Sequence, residues 1–240
     1  MKITKTINIK GAIYDNDTAG FYEFFGMKVI SPSAVDEVLN DGTDDDVTVN
    51  VASNGGDVFA ASEIYSMLKS YKGTVNVNIQ GLAASAASVI AMAGDKVSIA
   101  PTAQIMIHKA WSGTQGNSDD LAHESGVLDK IDSSIAAAYE AKTGMAQSDV
   151  LNLMSNETWM GAQDAVDKGF ADEIMFVNDD VPQVVNSSSP MLPKSAVNKL
   201  LNLISKASGV NPQTKPHENE NSQPTDSLKS RKLAILMGKN

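Results

Sequence analysis

The chain has 240 residues, 42% of them hydrophobic and 20% charged, which is enough apolar surface for a core and excludes a wholly disordered protein. It has no cysteine and three histidines, His108, His123 and His217; this rules out disulfides, thiolate metal sites and a cysteine nucleophile, and leaves too few ligands for a histidine-rich metal site. The net charge of −10 is unevenly placed, with 11 basic and 26 acidic residues in 1–180 against eight and three in 181–240, so the body is too acidic to grip nucleic-acid phosphates.

The N-terminal MKITKTINIK alternates lysine and isoleucine and lacks the apolar block of a secretory signal. VTVNVA (47–52) alternates β-branched residues and reads as a strand ending at the small-residue turn SNGG (53–56). From Val58 to Tyr71 the apolar positions 58, 59, 61, 64, 65 and 68 make a helical face. TVNVNIQG (74–81) is a second strand, followed by the small-residue run LAASAASVIAMAG (82–94), read as a helix. The longest apolar run, Leu82 to Ala93, has 12 residues, short of the roughly 20 that cross a bilayer. The expectation is a soluble, intracellular protein without membrane or nucleic-acid partners.

KVSIAP (96–101) and IMIH (105–108) are short strands, Leu121 to Lys142 a long helix, and Ser148–Met154 and Gly161–Lys168 shorter helices. Strand and helix alternating through short loops predicts an α/β fold with a mainly parallel sheet. Composition changes near residue 180, since six of the eight prolines lie in 181–240. The division is a domain over 1–180 and a basic tail over 181–240, with a disordered linker near 211–227 and two short helical patterns, Ala196–Lys206 and Leu228–Met237.

Three places carry chemistry. SNGG and GLAAS (81–85) each end a strand and open a helix, and the unpaired N–H groups of two neighbouring helix starts suit a developing oxyanion. Ser85 opens the second helix, where a serine is ordinarily a cap; Ser88, one turn on, packs or caps. His108 ends QIMIH and shares a strand face with Met106, opposite Ile105 and Ile107. His123 sits in acidic DDLAHES and is read as solvated, and His217 lies in the linker. No G-x-S-x-G elbow is present, so an α/β-hydrolase is not supported.

The string NGG, GLAASAAS, IMIHK, SGTQGNSDD and ETWMGAQDAVDKGFADEI, in that order over roughly 45–176, resembles the Clp protease proteolytic subunit family. It is especially similar to the Clp-like head-maturation proteases of tailed bacteriophages. The resemblance implies a Clp/crotonase-like fold of repeated β-β-α units. It implies Ser85 as nucleophile, His108 as general base and the backbone N–H groups of Gly56 and Ala86 as oxyanion hole. The third member falls on Glu157, where the family usually has aspartate; Asn54 likewise stands where proline is common. Trp111, Ser112, Gly113, Thr114, Gln115 and Gly116 match the family's substrate-pairing strand. No metal or organic cofactor is implied. Implied partners are peptide or protein substrates, further copies in a ring with the 121–142 helix between rings, and capsid or scaffold proteins, in the host cytoplasm or a procapsid. The alternatives are a housekeeping Clp subunit with an unfoldase, a crotonase-like acyl-CoA enzyme, a Ser85–Lys109 dyad and a capsid scaffolding protein. Lys109 directly follows His108, so it faces away and makes a poor base.

Overall fold

The alternation of strands and helices does build a mainly parallel sheet, in a computed structural model that describes residues 4–177. The linker, both helical patterns of the tail and the boundary near 180 lie outside the described residues.

In chain order the elements are β1 (Lys5–Ile13), α1 (Asn16–Phe24), α2 (Pro32–Leu39), β2 (Val47–Gly56), α3 (Val58–Ser70), β3 (Val75–Ala84) and α4 (Ala86–Ala91). Then follow β4 (Lys96–Ile99), β5 (Gln104–Ile107), α5 (Ser118–Thr143), α6 (Gln147–Ser155), β6 (Thr158–Gly161), α7 (Ala162–Asp167) and β7 (Glu173–Ile174). The sheet order is β1-β2-β3-β4-β7, all parallel, with β5 on β3 and antiparallel β6 on β5.

Strand alternation sets the two faces of the sheet. Val47, Val49 and Val51 of β2, and Val75, Val77 and Ile79 of β3, point into the core. The residues between them are polar, and Asn50 accepts from Gln80 (3.0 Å) and donates to Asn8 (3.3 Å) across three strands. A parallel sheet with one polar face departs from the usual doubly covered arrangement. The core face is closed by Ile64 and Leu68 of α3, by all of α4, and by Tyr139 of α5, whose ring lies tilted against that of Phe170.

Two expected boundaries are corrected. The segment 82–94 is not one helix, because Leu82–Ala84 continues β3 and α4 begins only at Ala86. Pairing is the reason: β3 meets β4 through Asn76–Ile79, then leaves it and meets β5 through Leu82–Ala84. Likewise 53–56 is no turn; β2 runs to Gly56, and α3 starts at an Asp57 cap that accepts from Ala60 N–H at 2.7 Å. Tertiary ladder bonds override the local propensity of Ala, Ser and Gly.

The long helix is fixed at both ends. Asn117 and Asp120 form a capping box, and Gly144 closes the other end at φ 71°. No described helix is long and apolar enough to cross a membrane. Ile64 is fully buried on α3 while its neighbour Glu63 is exposed. Ile64→Ala should therefore cost about 2–5 kcal/mol in urea unfolding, and Glu63→Ala within about 0.5 kcal/mol.

Candidate active site

The fork in β3 places Ser85. Ala84 pairs with Met106, and Ser85 N–H donates to the Met106 carbonyl at 2.9 Å. The next residues of β5's chain therefore run alongside Ser85, and His108 Nε2 comes within 2.7 Å of Ser85 Oγ. Ser85 stands at the cap position of α4 but makes no side-chain cap. Its hydroxyl is directed to the imidazole, and its backbone sits at φ 54°, ψ −127°. A non-glycine residue there is strained by about 1–3 kcal/mol and persists only when its surroundings enforce it.

Gly55 and Gly56 border this serine from β2. A Cβ on Gly55 would lie 2.7 Å from the Ala84 carbonyl oxygen and 2.8 Å from Ser85 Cβ, and φ is +96°. One on Gly56, at φ +152°, would overlap the Ile13 backbone. Only glycine permits this approach. Ser53 Oγ accepts from Gly55 N–H at 3.0 Å and donates to the Gly11 carbonyl. That engages the Gly55 amide. Ala86 N–H, first in α4, has no carbonyl one turn back to bond.

A cleft of about 480 Å³ brings together Gly56, Ser85, Ala86 and His108, with Phe59, Trp111 and Ser112 also on its walls. Its apolar side, Val58, Val89, Val127, Ile131 and Ile135, continues into a neighbouring cavity of about 590 Å³ between α3 and α5. Of the residues expected to form a substrate strand, Trp111 and Ser112 reach the cleft, whereas Gly113–Gly116 do not line it. The segment is exposed and forms no strand with any of the described residues.

Glu157 stands apart from this cluster. The antiparallel register that sets Ile107 opposite Thr158 carries Glu157 toward His108. Its residue is nevertheless exposed with φ +46°, and its carboxylate accepts from Trp159 Nε1 at 3.2 Å rather than from the imidazole. His123 is exposed on α5, where the acidic stretch placed it. Lys109 pairs with Asp132 at 3.3 Å.

Asp132 is the residue that sequence reasoning passed over. It lies on α5 at 3% exposure, and its Oδ1 accepts from Ala110 N–H at 2.7 Å. With the Lys109 pair, this carboxylate clamps the two residues after His108. The available signal was an aspartate inside the apolar stripe Leu128, Ile131, Ile135, because a charge on a buried face needs partners. No group of three or more His, Asp or Glu among the described residues is placed to hold a metal ion.

The Clp protease family model matches residues 37–178, more than half of the chain. The chain belongs to the Clp protease family. Curated relatives named ATP-dependent Clp protease proteolytic subunit include that of Deinococcus radiodurans, 31% identical over 123 residues, which are 50% of this chain and 60% of the relative. That of Bacteroides fragilis is 30% identical over 133 residues (55% and 64%), and that of Streptococcus pneumoniae 31% over 137 (55% and 70%). The chain thus spans less than two thirds of the length of the first of these Clp relatives.

The clamp on the His108 segment predicts a graded result. Asp132→Ala leaves the Ala110 N–H unpaired and should cost about 1–3 kcal/mol in urea unfolding, whereas Asp132→Asn keeps an acceptor and should cost less. Gly55→Ala, tested alongside, should lower the soluble, folded yield sharply, because both φ and contact forbid a Cβ.

Proposed function

We propose that the chain is a serine endopeptidase in which Ser85 is the nucleophile, His108 the general base and Glu157 the orienting acid. The observation that supports it most is the 2.7 Å contact of His108 Nε2 with Ser85 Oγ, made by a serine that caps no helix. A merely structural serine at that position would bond a backbone N–H of the first turn. A crotonase-like acyl-CoA enzyme has no need of this pair, and the Ser85–Lys109 dyad is disfavoured by the engagement of Lys109 with Asp132.

In the proposed reaction a neutral His108, with its proton on Nδ1, takes the Ser85 hydroxyl proton at Nε2 as Oγ attacks the peptide carbonyl carbon. The N–H groups of Gly56 and Ala86 receive the oxyanion. Collapse breaks the C–N bond, and His108 returns the proton to the leaving amine. Water, deprotonated by His108, then attacks the acyl-enzyme, releasing the acid and restoring Ser85. The apolar side of the cleft suits an apolar substrate side chain, and the unpaired backbone of 111–116 can take an extended substrate as an added strand. Glu157 reaches His108 in this scheme by rotation of an exposed side chain.

The finer reading is head maturation. It rests on the likeness of the motif string to phage head-maturation proteases and on the basic 181–240 beside an acidic body, which suits a tether to an acidic scaffold. Assembly as a ring with α5 at the ring-to-ring contact, a setting in the host cytoplasm or a procapsid, and proteins as substrates belong to the same proposal. A housekeeping role with an unfoldase is its alternative.

Ser85→Ala and His108→Ala should each reduce hydrolysis of an unstructured peptide by roughly four to six orders of magnitude, with the double variant no worse. Wild-type turnover by folded Ser85→Ala would end the proposal. Glu157→Gln should cost about two to four orders; a neutral result would remove Glu157 from the mechanism. For head maturation, 1–180 should keep peptidase activity and lose incorporation into assembling particles. Normal copy number in particles would eliminate the tether.

A further inference from the structure

Beneath Ser85 lies a chain of buried hydroxyls that the proposed mechanism does not use. Ser88 Oγ is 2.5 Å from the Ser85 carbonyl oxygen and 2.7 Å from Tyr139 Oη. Both side chains are buried, Ser88 at 0% and Tyr139 at 1% exposure. A carbonyl oxygen only accepts, so the single Ser88 proton goes to Ser85. Ser88 Oγ must then accept from Tyr139, whose O–H is the donor. Burial pushes the Tyr139 phenol above its usual value, which favours the protonated, donating form. The direction of the relay, Tyr139 to Ser88 to the Ser85 carbonyl, follows from valence alone.

The acceptor at the end of the relay belongs to a particular peptide group. The Ser85 carbonyl and the Ala86 N–H share one amide plane, and with no cis peptide in the described chain they point in opposite directions. The carbonyl accepts from the Ser88 N–H at 2.9 Å and the Val89 N–H at 3.4 Å as well as from the Ser88 hydroxyl. Together these donors hold it on the core side and aim the Ala86 N–H at the cleft side, where Ala86 sits with Ser85 and His108. Donation to a carbonyl also polarises its amide and strengthens the N–H as donor. On the other flank the Ser85 N–H is held by the Met106 carbonyl. The strained backbone of Ser85 is thereby fixed on both sides.

We infer that Tyr139 and Ser88 are positioning residues that orient and polarise the Ala86 N–H as oxyanion donor. The inference rests on the protease reading and deepens it. It gives the two hydroxyls a role beyond packing, because packing alone requires only their volume.

Tyr139→Phe removes one oxygen and keeps the ring. It should lower kcat on a fluorogenic peptide about three- to tenfold with KM within about twofold, and weaken a peptide aldehyde, whose hemiacetal oxygen occupies the same hole, by a similar factor. Ser88→Ala should lose at least as much, and the double variant no more than Ser88→Ala, since the residues act in series. A Tyr139→Phe protein that melts lower yet keeps kcat and aldehyde affinity within twofold would overturn the relay, leaving packing only. A second readout is independent of turnover: the Ala86 amide proton resonance, observed with 15N-alanine labelling, should move upfield in Tyr139→Phe. An unmoved resonance overturns the relay. A wild type that hydrolyses no peptide, with that resonance moved, overturns the protease reading and spares the relay.

Discussion

The peptide group between Ser85 and Ala86 is where the constraints of this molecule converge. Its serine adopts φ 54° and ψ −127°, a conformation that costs energy in isolation. Neighbours on three sides impose it. The Met106 carbonyl holds the N–H, Ser88 holds the carbonyl, and Gly55 leaves no Cβ where Ser85 and Ala86 must pass. What results is a hydroxyl freed from capping and turned toward an imidazole.

That arrangement depends on β3 changing partners. Four residues ladder with β4, and three later residues ladder with β5. The divergence opens the sheet at the carboxyl end of β3 and brings β5, with His108 just beyond it, beside the serine. Strand ends of a parallel sheet are a common place for ligand sites, because helices start there with unpaired N–H groups. Here the helix is short, and its buried alanines let the β2 glycines approach. The family membership of residues 37–178 is consistent with the fold being carried by this segment.

Much of this was legible in the residues. Alternation in VTVNVA and TVNVNIQ fixed strand faces, and QIMIH put His108 opposite Ile105 and Ile107, as burial confirms. The start of α4 was not legible. LAASAASVIAMAG is almost wholly small or apolar, broken only by Ser85 and Ser88, so neither a period of 2 nor of 3.6 stands out, and only pairing with β5 carries the strand on to Ala84. Asp132 and Tyr139 were hidden for a different reason. Each lies on the core-facing stripe of α5, and its partner is 22 or 51 residues away, so no local pattern reports the bond. Glu157 shows the limit of position matching. The register brings its backbone near His108, but an exposed side chain on a left-handed residue is free to choose Trp159.

The central claim is that Ser85 is a nucleophile activated by His108. The most direct test is covalent labelling with a fluorophosphonate, followed by mass mapping of the tryptic peptide. A single adduct on Ser85, formed by wild type and absent from folded His108→Ala at the same exposure, is the predicted result. An adduct elsewhere, or equal labelling without His108, would contradict it.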